Sequence, residues 1–164
     1  MAETTPTKNL TTIEKLEYLV IGHVTADLTD SGPALGGTVT FSGLTAQAMG
    51  LRTGVITTFN PSLDTSSLAS LWVKNSGSLE TTTFKNISDG VHRTQYLYKK
   101  ASPIGPDDIP AFLTPPEIVH LGPVANEVNP EILAKFPDSL KCYCLTANFT
   151  ISVTKQPIQD NGYG

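Results

Sequence analysis

The chain has 164 residues, a net charge of -4, 39% hydrophobic and 16% charged residues. That length suits one compact α/β domain, and the apolar fraction supports a core. The weak acidic balance offers no field to gather nucleic-acid phosphates, and the longest apolar runs fall far short of a membrane span, so neither nucleic acid nor a bilayer is an expected partner.

Residues 1-16 are polar and Thr-rich and read as a flexible arm. They lack the basic-then-apolar order of a signal peptide, which favours a cytoplasmic setting. Two cysteines, Cys142 and Cys144, are too few for a disulfide framework. The triplets at Asn9, Asn86 and Asn148 match a glycosylation acceptor, but without a secretory signal they read as chance.

Tyr18-Leu-Val-Ile21 is a continuous apolar run closed by Gly22, which predicts a strand buried on both faces. A turn follows at Ser31-Gly-Pro33. Gly36-Gly37 then opens a helix over residues 38-50. Its small side (Gly43, Ala46, Gly50) would allow close approach to a sheet, and Gly50 would stop it. A strand over 53-59 completes a right-handed βαβ unit.

A second helix is expected over 64-74, with Asp64 as N-cap. Residues 79-99 are rich in Thr, Phe and Tyr around Ser88-Asp-Gly90, a β-hairpin signal. The stretch 103-116 allows one short helical turn. Glu117-Ile-Val-His-Leu121 reads as a third buried strand. Asn129-Pro130 predicts a helix start that Pro137 closes, and Cys142-Tyr-Cys-Leu145 a fourth buried strand with both sulfurs in the core. Residues 147-164 lack periodicity and read as an irregular tail. The three histidines, His23, His92 and His120, are scattered singly and read as structural.

Three segments carry a family resemblance. They are Leu19-Val-Ile-Gly-His-Val-Thr-Ala-Asp27, Leu35-Gly-Gly-Thr-Val-Thr-Phe-Ser-Gly-Leu-Thr-Ala-Gln-Ala-Met-Gly50 and Gly54-Val-Ile56. Their order and spacing resemble the amino-terminal part of the ribokinase-like (PfkB) carbohydrate kinases. The resemblance extends more loosely through the 79-99 hairpin and His120-Leu-Gly-Pro-Val124, over residues 17-146 in all. It implies an incomplete ribokinase-like fold: a Rossmann-like, mostly parallel sheet with crossover helices plus a small β lid, supplied by 79-99 and by 24-34.

The reaction so implied moves a phosphoryl group from ATP, with Mg, to a hydroxyl of a sugar, nucleoside or similar small alcohol. On that reading Asp27 accepts hydrogen bonds from substrate hydroxyls, because a carboxylate offers several acceptor sites to vicinal OH groups. Gly36 and Gly37 bring backbone N–H groups to the ligand at a helix N-terminus. Phe41 stands where many members have Asn, and the neighbouring Thr40 would offer a hydroxyl instead. Arg93 and Glu127 stand where members sometimes contact substrate.

The family's catalytic Asp belongs to a Gly-Ala-Gly-Asp motif, and no Gly-x-Gly-Asp occurs in this sequence. The Asn-x-x-Glu motif associated with magnesium and phosphate is missing too. The chain is therefore expected to be the amino-terminal half of a longer kinase, without a catalytic base, binding no ATP or metal itself and inactive alone. The alternative is a non-catalytic binding or assembly module, dimerising through the lid hairpin or an open sheet edge.

Overall fold

A computed structural model describes residues 15–144 except 89, 91 and 92. Most of the amino-terminal arm and all of the 147-164 tail lie outside the described residues. Among the described residues nine strands and one α-helix run in the order β1 (Tyr18–Ile21), β2 (Thr25–Thr29), β3 (Gly32–Gly36), α1 (Thr38–Ala48), β4 (Thr53–Thr57), β5 (Trp72–Asn75), β6 (Thr82–Ser88), β7 (Arg93–Lys99), β8 (Ile118–Leu121) and β9 (Leu140–Tyr143). They form two sheets. The first is entirely parallel, in the order β5-β4-β1-β8-β9. The second is mixed, β3-β2-β6-β7.

The first sheet follows from its apolar runs. Leu19, Val20 and Ile21 of β1 are fully buried because both faces are covered. Alternation sends Val20 to one side, with Val39 of α1, Val55, Leu68 and Leu71. Leu19 and Ile21 face the other side, among Ile56, Ile104, Leu121, Ile132 and Phe136. The predicted small side of α1 makes the close approach. A Cβ on Gly43 would lie 3.2 to 3.3 Å from Leu71 and Val55. The helix ends as expected: Gly50 takes a φ of 91°, and Leu51 N–H donates to the Ala46 carbonyl.

The second sheet combines the two lid segments read from the sequence. β2 and β3 pair antiparallel, β6 and β7 form the hairpin, and β2 joins the pairs by running parallel to β6. The hairpin is thus part of a separate sheet rather than an interruption of the parallel one.

Three local expectations are corrected. Residues 64-74 form no α-helix, only a 3-10 turn at Ser66–Leu68 followed by β5. The Asp64 carboxylate does accept from Ser66 N–H at 2.9 Å, but in a turn. Trp72 and Val73 then favour extended pairing beside β4. After Asn129 the chain makes a 3-10 turn, Pro130–Lys135, not an α-helix, although Asn129 caps it by accepting from Glu131 N–H at 2.9 Å. Finally, β9 is an exposed outer strand. Leu140 is 63% exposed and Cys142 is exposed, so the two sulfurs are not core atoms. Cys144 is half-buried, 3.0 Å from His120 Nε2.

Candidate functional site

The sequence-predicted residues Asp27, Gly36, Gly37 and Thr40 converge where β2 and β3 meet the start of α1. Thr25 of β2 lies opposite Gly36 of β3, two residues from Asp27. Thr25 Oγ1 donates to Asp27 Oδ1 at 2.9 Å, which orients the half-buried carboxylate. The other oxygen lies against Gly36. A Cβ there would sit 2.5 Å from Asp27 Oδ2, so any residue but glycine would displace the carboxylate.

Gly37 is the N-cap of α1, at φ 93° and ψ 150°. That dihedral region favours glycine, and a Cβ would meet the His23 carbonyl at 2.4 Å. Among the described residues no side chain caps the helix, and while Thr40 N–H donates to the Gly37 carbonyl at 3.1 Å, the N–H groups of Thr38 and Val39 remain available. Thr40 is buried, and its hydroxyl donates to the Gly36 carbonyl at 2.6 Å. The hydroxyl thereby fixes the glycine turn. Phe41 projects outward at 63% exposure.

Glu127 lies elsewhere, in the loop after β8, and is only 2% exposed. Its carboxylate accepts from the N–H groups of His23 (3.1 Å), Val124 (3.0 Å) and Ala125 (2.6 Å). In this arrangement it ties the β8 loop to the β1-β2 connection. Arg93 is the first residue of β7, opposite Ser88. Its side chain falls outside the description.

Register places further polar groups on the Asp27 face of the second sheet. Asp27 pairs with Phe84, Phe84 with Leu97, and Asn86 with Gln95, and cross-strand partners share a face. Phe84 and Leu97 pack on Val124 and Ala125, so this face looks towards the β8 loop. Among the described residues Asn86 Oδ1 is occluded from solvent and has no hydrogen-bond partner. A desolvated carbonyl without a donor costs about 1–3 kcal/mol. The sequence did not mark Asn86 or Gln95 as a site residue, Asn86 being noted only as a chance triplet. Their alternation with Phe84 and Leu97 was the available signal, but it becomes informative only once the face of the hairpin is known.

His23 also gains a setting that spacing could not show. It is fully buried. Its Nε2–H donates to the Ser102 carbonyl at 2.9 Å, and its Nδ1 accepts from the Thr82 hydroxyl at 2.6 Å. Burial pushes its pKa below the ordinary value, while the Glu127 carboxylate and the Ser102 carbonyl pull it up. His120 is likewise pushed down by burial, with the Tyr18 hydroxyl on its Nδ1.

A cleft of about 620 Å³ opens on the opposite face of the second sheet, lined by Ala26, Leu35, Asn60, Leu63, Glu80 and Lys99. Neither Asp27 nor Gly37 lines it, so its size does not make it the candidate site. Among the described residues no three His, Cys, Asp or Glu side chains gather as a metal cluster, and no helix is long and apolar enough to cross a membrane.

Neither a protein-family model nor a curated protein matches the chain. Solved structures do. A pyrophosphate-dependent kinase in the ribokinase family, complexed with a pyrophosphate analog and myo-inositol, is similar at 22% identity and a TM-score of 0.58. The match covers 77% of this chain and 48% of that one. A sulfate complex of a pyrophosphate-dependent kinase in the ribokinase family is similar at 29% identity and a TM-score of 0.54, over 71% and 44%. A Vibrio cholerae O395 fructokinase bound to fructose, ADP and calcium ion shares 14% identity at a TM-score of 0.55, over 78% and 49%. The chain thus spans about half the length of the kinases it matches, as expected of an amino-terminal portion of the ribokinase-family fold.

Proposed function

We infer that this chain, whose fold is an incomplete ribokinase-family fold, serves as the acceptor-binding portion of a kinase for a small polyhydroxylated alcohol. The observation that carries this is the Asp27 carboxylate, braced by Thr25 and held against Gly36 at the open start of α1. Such a group accepts from two neighbouring hydroxyls at once, and the helix N–H groups donate to a third oxygen. Asn86 and Gln95 stand on the same face to select among hydroxyl patterns. A sugar, a cyclitol such as myo-inositol, or the ribose of a nucleoside has the required chemistry. The second sheet, as a lid, would shield the hydroxyls from water.

Phosphoryl transfer also needs a base near the attacking hydroxyl and neutralisation of the donor's charge. The described residues offer no metal cluster, and the sequence has no Gly-x-Gly-Asp. The donor, ATP with Mg on the family pattern or pyrophosphate, therefore finds no matching residues here, and no step through it is derived. The isolated chain is expected to bind the alcohol without phosphorylating it. A cytoplasmic setting belongs to this proposal.

The test mixes the 164-residue chain with fructose, myo-inositol and adenosine, with ATP or pyrophosphate and Mg. Saturation-transfer NMR should detect at least one alcohol bound, with no phosphorylated product. Product formation would overturn the non-catalytic part, and silence towards every alcohol the binding part.

A second reading, a non-catalytic assembly module, is favoured by β9. It is an outer strand whose Leu140 and Tyr143 are 63% and 48% exposed, and open edges recruit strands. Light scattering on the pure chain separates the two, because a clean monomer removes the assembly reading.

A further inference from the structure

We propose that His23 is a positioning residue, whose neutral imidazole clasps the crossings between the two sheets and so sets how the second sheet presents Asp27 to Gly36 and Gly37. Among the described residues the chain passes between the sheets four times: at 22-24, 37, 76-81 and 100-117. His23 sits in the first crossing. Its carbonyl lies against Gly37 in the second, where a Cβ would come within 2.4 Å. Its Nδ1 holds Thr82, the first residue after the third, at 2.6 Å. Its Nε2 holds Ser102 in the fourth at 2.9 Å. Its own N–H is held by Glu127.

The hydrogens of this cluster fit one protonation state. The Ser102 carbonyl can only accept, so Nε2 carries the proton. That carbonyl also accepts from Thr58 Oγ1 at 2.6 Å. Thr82 Oγ1 accepts from Ala101 N–H at 2.9 Å, which leaves its own hydrogen for Nδ1. A second proton on Nδ1 would make the ring a donor there, so the Thr82 hydroxyl would have to turn its own hydrogen away and give up donating to the ring. The charged groups bearing on the ring are the Glu127 carboxylate, which favours the cation, and Lys100, which opposes it. The neighbouring hydroxyls are that of Thr82 in β6, on the ring itself, and that of Thr58, just after β4, on the ring's Ser102 partner.

The inference rests on the proposed site only for what the second sheet covers, and its test contains no alcohol, so either can fail without the other. Amide hydrogen exchange of the full chain, corrected for intrinsic rates, is followed from about pH 8 to pH 5, spanning the ordinary histidine range. Protection in β2, β3, β6 and β7 is expected to fall roughly tenfold on acidification while β1 and β4 hold, as separable units do. Thr82→Val should show the reduced protection at every pH, and Thr82→Ser, which keeps the hydroxyl, should behave as wild type. The proposal is overturned if wild-type protection of the second sheet is flat with pH, or falls only together with β1 and β4. It is also overturned if Thr82→Val matches wild type. The wild-type series decides even if the valine variant does not fold.

Discussion

The two sheets are held by different physics. In the parallel sheet, Leu19, Val20, Ile21, Val55 and Ile56 are fully buried, and apolar contacts from both sides fix the strands. The second sheet buries mainly Phe84 and Leu97 against one loop. Its base is fixed instead by directional bonds at His23, Thr82, Ser102 and Glu127. Hydrophobic burial is large and tolerant of angle, whereas hydrogen bonds are individually modest but orienting. Stability is therefore concentrated in the first sheet, and the placing of the second is left to the hydrogen bonds at its base.

Breaking this contrast gives the largest effect at Ile21, which lies among Leu19, Ile56 and Leu121 with no exposed surface. Ile21→Ala should cost about 2–5 kcal/mol in urea unfolding, and both sheets should melt together. Glu127→Gln should come next. It puts an amide donor against backbone N–H groups in place of an acceptor, at about 2 kcal/mol. Its exchange signature should concentrate at the β8 loop and the β1-β2 connection rather than in β4.

Acid should then distinguish the buried histidines. His23 and His120 both have folded pKa values lowered by burial. As pH falls through the ordinary value of about 6.5, the unfolded chain takes up protons that the folded chain refuses. Stability should therefore be greatest above that value and decline below it. His23→Gln should flatten part of the slope in a denaturant series, and an unchanged slope would show that His23 contributes nothing to it. The smallest change is expected for Phe41→Asn, because the side chain is 63% exposed. Stability should move by no more than about 0.5 kcal/mol. Any gain in sugar affinity would mark position 41 as a contact.

The same contrast governs what could be read from the sequence. The strands β1, β4 and β8 announce themselves as apolar runs because each is buried on both faces. The Gly36-Gly37 start of α1 was equally plain, because glycine there answers a steric demand from Asp27 and His23. β5 was hidden: its pairing with β4 is non-local, and the Asp64 oxygen that resembled a helix cap serves a turn. β9 read as buried because Cys, Tyr and Leu are apolar, yet being outermost in the sheet leaves Cys142 exposed. At the candidate site, Asp27 was singled out only through the family resemblance of residues 19-27 and 35-50, and its role is the one proposed above. The settings of His23, Thr40 and Glu127 were not legible, since each is defined by bonds to residues distant in sequence or to backbone groups.

The proposed function stands or falls with Asp27 as the hydroxyl-binding group. Isothermal titration of the whole chain with fructose and myo-inositol, compared with Asp27→Asn, tests it most directly. Asn keeps the shape and an acceptor for Thr25 but loses the charge. The better-bound alcohol is expected to lose at least tenfold in affinity, about 1.4 kcal/mol, while the unfolding midpoint stays within a few degrees. Equal affinity in the two proteins, or no binding of either alcohol to the wild type, would contradict it.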